Sequence, residues 1–256
     1  MGNSAVPAGE TSLKHFIKRA RQYNCSSRWV DDPVLIGKIC AFAHAGPRSY
    51  LLDIAIGTGK IAQAFYGKVK YVVGIDICEE MARQAKGCAD RVVLAAAEKL
   101  PFQNNAFDVC VCRQGLQFMK LEGVFSEMRR VLKPGGKAVL CHLTAYGRED
   151  KEEAFFIQRL RNPARKNFFS PQDLVKFLKK NNFTDIESVE YITRESVNQW
   201  IDHGAITKDA REEIRESYRK ASDGFKRIHD IRFKNGDIFD SMKMVLVKAR
   251  KKKQKA

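Results

Sequence analysis

The run Leu51-Leu52-Asp53-Ile54-Ala55-Ile56-Gly57-Thr58-Gly59-Lys60 constrains this chain more than any other segment. It reads as a buried strand that turns sharply into a helix, with small residues at the turn. Such a turn lets backbone approach a nucleotide-like ligand closely. Glycine-rich turns are common, so the ligand is decided by the next ninety residues or so of the chain.

Those residues alternate regularly. Strands are expected at 50–55, 71–76, 91–95, 107–112 and 137–143, with helices at 60–66, 79–85 and 121–132. The strands are continuous Val/Ile/Leu/Cys runs rather than apolar/polar alternations. That marks strands buried on both faces, as in a parallel sheet covered by helices. The fold class is therefore α/β, a doubly wound, mostly parallel sheet. Pro134-Gly135-Gly136 stops the helix that precedes the fifth strand.

The flanks differ from this core. Residues 1–12 are polar and expected to be disordered, and 13–45 form N-terminal helices, one with Pro33 in its first turn. Residues 146–235 are charged and partly helical, a substrate-side segment inserted before the last strand. Within it, Ser170-Pro171 caps a helix reaching Lys180, and 183–191 reads as a strand. Residues 241–248 form the last strand and 249–256 a basic tail. The expected unit is one domain over 13–248, with its ligand-binding core at 48–145.

Composition excludes several classes. No apolar run approaches the ~18 residues that span a bilayer, and no signal peptide is visible. The start Met1-Gly2-Asn3-Ser4 suggests myristoylation, but Val6 stands where Ser or Thr is required. Seven cysteines without a CxxC pair argue against zinc and disulfides and for a reducing cytoplasm. Net charge is +16, and Lys248, Arg250, Lys251, Lys252, Lys253 and Lys255 supply six of those positive charges. A basic chain attracts nucleic acid or anionic metabolites, or is simply soluble.

A dinucleotide would need GxGxxG, which here falls on Ala55, Gly57 and Lys60, so two of three positions fail. The alternative is S-adenosylmethionine. The chain resembles the class I S-adenosylmethionine-dependent methyltransferases, closest to the group with ubiquinone- and menaquinone-pathway enzymes. Four segments in order carry the resemblance: the opening turn, GIDICEEM (74–81), EKLPFQNNAFDVCVC (98–112) and EMRRVLKPGGKAVL (127–140), with GLQF (115–118) between the last two. It implies a Rossmann-like sheet of seven strands with a helical lid before the last one.

The same resemblance assigns the cofactor residues. Gly57 and Gly59 pass under the methionine moiety without a Cβ clash. Asp53 attracts the ligand's ammonium. Asp76, 23 residues later, accepts both ribose hydroxyls. Ile77 and Met81 pack on adenine, and Ala96, Ala97 and Glu98 edge it. Arg113 and Gln114 follow the fourth strand. Ala55 stands where relatives usually carry glycine, and Ala96 where they often carry Asp or Asn.

Methyl transfer from a sulfonium needs alignment and exclusion of water, and a base only when the acceptor must lose a proton. His142, near the end of the fifth strand, is the best placed candidate; His203 and His229 are others, and His229 reads as a surface residue. Tyr23, Trp29, Phe118, Tyr146, Phe168, Phe169, Trp200 and His203 are candidates for the acceptor site. Aromatic richness favours a flat, apolar or quinone-like acceptor methylated on oxygen or carbon. Arg161, Arg165, Lys166, Arg227 and Arg232 favour one carrying a carboxylate or phosphate. The expected partners are thus S-adenosylmethionine, leaving as S-adenosylhomocysteine, and a small acceptor, an anionic aromatic being one candidate, bound to a monomer or homodimer. RNA methylation and cofactor binding without catalysis are the competing readings.

Overall fold

The computed structural model describes residues 8–253, and side chains from Leu13 onward. The expected disorder of 1–12 therefore concerns mostly residues outside the description, as do the myristoylation-like start and the last three residues. At the boundary the structure differs: helix α1 (Ala8–Arg19) begins at Ala8. A 3₁₀ turn (Ala20–Cys25) comes next, then a second (Arg28–Val30) and helix α2 (Pro33–Ala43). The Asp32 side chain accepts the Val34 and Leu35 N–H groups and Pro33 occupies the first turn, which starts α2 where the sequence indicates.

The core then alternates as expected. Strand β1 (Tyr50–Ile54), helix α3 (Lys60–Phe65), β2 (Tyr71–Asp76), α4 (Glu79–Gln84), β3 (Arg91–Leu94) and β4 (Phe107–Arg113) lead to α5 (Leu121–Val131) and β5 (Leu132–Thr144). The chain continues through α6 (Lys151–Arg161), α7 (Pro171–Lys180), β6 (Phe183–Ser196), α8 (Val197–Ile201), α9 (Lys208–Lys220) and α10 (Asp223–Ile228). A short β7 (Arg232–Lys234) and long β8 (Asp237–Lys251) close it. The sheet order is β3-β2-β1-β4-β5-β8-β6, with β7 an added three-residue edge on β8. Strands β1 to β5 are parallel, and β8 runs antiparallel to both β5 and β6.

Successive strand residues go to opposite layers. Leu51, Val109, Val111 and Val139 join the layer containing α2 and α3 residues, while Leu52, Cys110, Cys112 and Leu140 join that of α5 and α7. Cys110 and Cys112 thus share a face as small apolar residues, and all seven cysteines are free. Among the described residues no helix is long and apolar enough to cross a membrane.

Several boundaries moved. Pro134-Gly135-Gly136 lies inside β5, whose pairing with β4 shifts register between Phe107 and Val109 to absorb it. Strand β6 runs on to Ser196 because β8 starts at Asp237 and pairs with it as far as Ser196↔Phe239. The basic tail begins later than residue 249, since β8 holds Ala249, Arg250 and Lys251 in the sheet.

Strand order reverses around β1, whose neighbours β2 and β4 are reached by crossovers in opposite directions. The crevice at the carboxyl ends of these strands is where such sheets seat ligands. Helix α1 and its 3₁₀ extension close over it: Leu13, Phe16 and Tyr23 pack on Ala20, Cys78 and Met81, the last at the start of α4.

Candidate cofactor and acceptor site

Past β1 the backbone turns through three left-handed residues, Ala55 at φ 59°, Gly57 at φ 57° and Gly59 at φ 85°. Gly59 is required by packing, since a Cβ there would lie 2.6 Å from the Cys88 Cβ. Gly57 is different. A Cβ there would meet only the Ala55 carbonyl oxygen, at 4.0 Å. Its open side faces the crevice, leaving a cradle for a ligand. On the opposite wall Gly115 is held small by Ala55, whose Cβ would be 2.9 Å from any Cβ there.

Two carboxylates flank this turn. Asp53, 2% exposed, has one oxygen, Oδ2, with no hydrogen-bond partner. Burial pushes its pKa up to about 7, against the opposing charge of Arg113. A buried, half-satisfied carboxylate at a ligand crevice suits an ammonium. Asp76 accepts the Gly57 N–H on Oδ2 and the Cys78 N–H on Oδ1, both at 2.9 Å. Burial raises its pKa while those two N–H groups oppose the shift. Each oxygen keeps a lone pair, so the pair of them fits a ribose diol.

Ala55, Gly57, Asp76, Ile77, Met81, Ala96, Ala97, Glu98, Arg113 and Gln114 line one cavity of 190 Å³, together with Tyr23 and Phe118. Asp53 and Gly59 are not among the lining residues, and Gly59 faces Cys88. Ile77 stands at the rim, 57% exposed, and Met81 is buried. Glu98 edges the cavity with one oxygen already accepting the Lys120 N–H at 2.8 Å. Arg113 is fixed by donating to the Trp29 and Val30 carbonyls. Gln114, left-handed at φ 56°, has its side chain held between Gln117 Nε2 and Met244 Sδ.

The lining also includes Phe16, Met119 and Lys166, which sequence reasoning did not assign to the cofactor crevice. The sequence places Phe16 in the N-terminal helices, and no pattern shows that they close a ligand site. A smaller cavity of 20 Å³ adjoins the first, sharing Phe16, Tyr23, Gln114 and Phe118. Trp29 and Trp200 line this inner space.

Other expectations are corrected. His142 is fully buried and lines neither cavity. Along β5, Cys141 and Leu143 face one layer and Leu140 the other, so His142 points with Leu140, edge-on to Phe169. Its Nδ1 pairs with Gln117 Oε1 at 3.2 Å, and burial pushes its pKa down to about 3. It therefore orients Gln117, and through it Gln114, rather than meeting an acceptor. His203 is also fully buried and outside both linings, beside His15 at a ring distance of 5.4 Å, with burial driving its pKa down to about 2.

Tyr146 lies away from the crevice, donating to the Ser241 carbonyl and edge-on to His229. His229 is no surface residue: it is 4% exposed, clamped between Asp150 (3.0 Å) and Asp240 (2.9 Å). Phe168, its ring centre 5.8 Å from the Arg165 guanidinium, lines neither cavity, and both it and Phe169 are core. Arg227 and Arg232 are exposed.

Residues 52–140 match a family model described as a methyltransferase domain. An uncharacterized protein of Methanocaldococcus jannaschii is 29% identical over 79% of this chain and 92% of its own length. The ubiquinone/menaquinone biosynthesis C-methyltransferase UbiE of Cupriavidus taiwanensis is 42% identical over 42% of this chain. The match spans about half of that relative, 49% of its length. In fold, the YcgJ protein of Bacillus subtilis superposes with a TM-score of 0.79 at 24% identity, covering 86% of this chain and 98% of its own. Residues 52–140 thus carry a region similar to methyltransferase domains, UbiE's among them, on the fold of class I S-adenosylmethionine-dependent methyltransferases.

Proposed function

We propose that this enzyme transfers the methyl group of S-adenosylmethionine to oxygen or carbon of a small acceptor with a flat, apolar, aromatic or quinone-like body. The observation that carries this reading is the aromatic group Phe16, Tyr23 and Phe118, which lines the 190 Å³ cavity and borders the smaller inner one. The UbiE relatives, named as C-methyltransferases, favour carbon as the accepting atom.

In this reading Asp53 holds the cofactor's ammonium, Asp76 its ribose hydroxyls, and Met81 and Ile77 its adenine. When bound, the cofactor supplies an electrophilic methyl group. The rest is done by the chain: Phe16, Tyr23 and Phe118 exclude water, and Gln114, fixed by Gln117, presents its amide to the ligand-filled space. No histidine is among the residues lining the two cavities. Alignment and desolvation of an acceptor that enters already nucleophilic then supply the acceleration.

A cavity closed by the half-buried Phe16, Tyr23 and Phe118, with the buried Trp29 and Trp200 behind them, suits a small molecule better than an RNA strand. The test uses methyl-labelled S-adenosylmethionine and a cell extract split into small-molecule and nucleic-acid fractions. Label appearing in the small-molecule fraction is expected; label confined to nucleic acid would replace this reading with RNA methylation. The same reading takes a reducing cytoplasm as the compartment, which the free cysteines support.

A further inference from the structure

Three arginines converge on the inner cavity from separate elements: Arg19 at the end of α1, Arg161 at the end of α6 and Arg165 in the loop beyond it. They are 3%, 4% and 7% exposed. Among the described residues no carboxylate forms an ion pair with any of them.

Their hydrogen bonds go to neutral groups. Arg19 donates to Ser26 Oγ, and Arg161 to the Trp200 carbonyl and Ser27 Oγ. The guanidinium of Arg165 lies 5.7 Å from the Phe118 ring centre and 5.8 Å from that of Phe168. The Nε atoms of Arg19 and Arg165 are buried with no partner at all. Glu195 is the carboxylate whose field reaches Arg161, but it already accepts the Arg28 and Trp29 N–H groups and the Thr193 hydroxyl.

Three like charges buried together without a counter-ion destabilise a fold strongly, because each is desolvated and each repels the others. Burial pushes all three pKa values down, and repulsion by neighbouring arginines adds to this at Arg161 and Arg165. Planar guanidinium groups with free donors match the geometry of a carboxylate or phosphate. The cavity between them, at 20 Å³, has room for about one water. An oxyanion would enter by parting groups that already repel one another.

We propose that Arg19, Arg161 and Arg165 form the anion-binding end of the acceptor site and take the carboxylate or phosphate of the molecule that is methylated. The proposal rests on the methyltransferase reading and narrows it. Because the inner cavity shares Phe16, Tyr23, Gln114 and Phe118 with the cofactor cavity, the anionic head and the accepting atom belong to one ligand. The arginines hold the head, the aromatic walls hold the body, and the reacting atom points toward the cofactor.

The chain supplies its own probe. Its two tryptophans, Trp29 and Trp200, both line this cavity. The full-length chain, saturated with S-adenosylhomocysteine, is titrated with inorganic phosphate and separately with acetate, against chloride at matched ionic strength. Tryptophan fluorescence is expected to change saturably with at least one oxyanion and not with chloride. A response to phosphate alone assigns a phosphate-bearing acceptor, to acetate alone a carboxylate, and to both a site that accepts either head; each supports the proposal.

Arg165→Gln, chosen because no side-chain hydrogen bond from the described residues holds Arg165, should weaken the response roughly ten-fold or more. It should also raise the melting temperature of the anion-free protein, which loss of a merely structural contact would lower. Arg19→Gln repeats the test from a different element. No saturable response to either anion, or responses unchanged in both variants, overturns the proposal. S-adenosylhomocysteine binding in the same samples keeps the two readings apart: its loss strikes the methyltransferase reading, its persistence without an anion response strikes only this one.

Discussion

Ala55 shows how much one side chain can decide. It sits at φ 59°, a conformation glycine adopts freely and alanine does not. The strain is local, and its Cβ leans toward Gly115 across the crevice. Ala55→Gly should therefore stabilise the protein by about 1 kcal/mol, read as a rise in melting temperature; a fall would show that the Cβ contact outweighs the strain. Asp53 is the second such residue. Its pKa, raised to about 7, means that it is largely protonated at pH 6 and ionised at pH 8. Only the ionised form attracts an ammonium, so cofactor affinity should rise over that interval and Asp53→Asn should weaken binding and flatten the profile. The stability linkage has the opposite sign. A folded-state pKa above the unfolded value makes the folded form bind the extra proton, so this group costs stability as pH rises from about 4 to 7. A cofactor affinity that is flat in pH in the parent would remove Asp53 from the site.

At the scale of elements, the segment 146–235 is anchored to the sheet by a buried clamp. His229, after α10, lies between Asp150 before α6 and Asp240 in β8, and Tyr218 of α9 donates to the same Asp240 at 2.7 Å. Burial opposes the imidazolium, but the two carboxylates outweigh it and raise the pKa to about 9. A raised folded-state pKa contributes stability that is complete below about 6.5 and is lost as pH climbs through 9. The melting temperature should fall across pH 6.5–9.5, and His229→Ala should cost roughly 3 kcal/mol at pH 6.5. A profile identical in parent and variant would show that the clamp carries no charge. None of this was legible in KRIHDIR, a basic stretch that looks solvated because its partners lie 79 and 11 residues away. His142 failed for a related reason. Its place near the end of β5 could be read from sequence, but which face it takes depends on the strand register and on β8 closing the far side. By contrast the helix starts at Asp32-Pro33 and Ser170-Pro171 were legible, since capping is a local interaction.

Across the whole molecule, the parallel half of the sheet was readable because strands buried on both faces are continuous apolar runs. The antiparallel half was less so: β6 carries charged residues on an exposed face, and its true length comes only from pairing with β8. Most residues lining the main cavity were legible because a left-handed turn and a carboxylate at a strand end leave fixed spacings. The proposed acceptor site was not, because its lining comes from α1, the loop after α6 and α8, which have no common spacing. Those scattered pieces meet only over the crevice that the β1 turn creates. Everything proposed for the molecule therefore depends on this turn being a cofactor cradle. Calorimetric titration of the full-length chain with S-adenosylmethionine and S-adenosylhomocysteine tests it. One site for each ligand is expected in the parent, and loss of both in Gly57→Leu, where the side chain fills the open space beside the turn while circular dichroism stays unchanged. Failure of the parent to bind either ligand, or undiminished binding in the variant, would contradict the cradle.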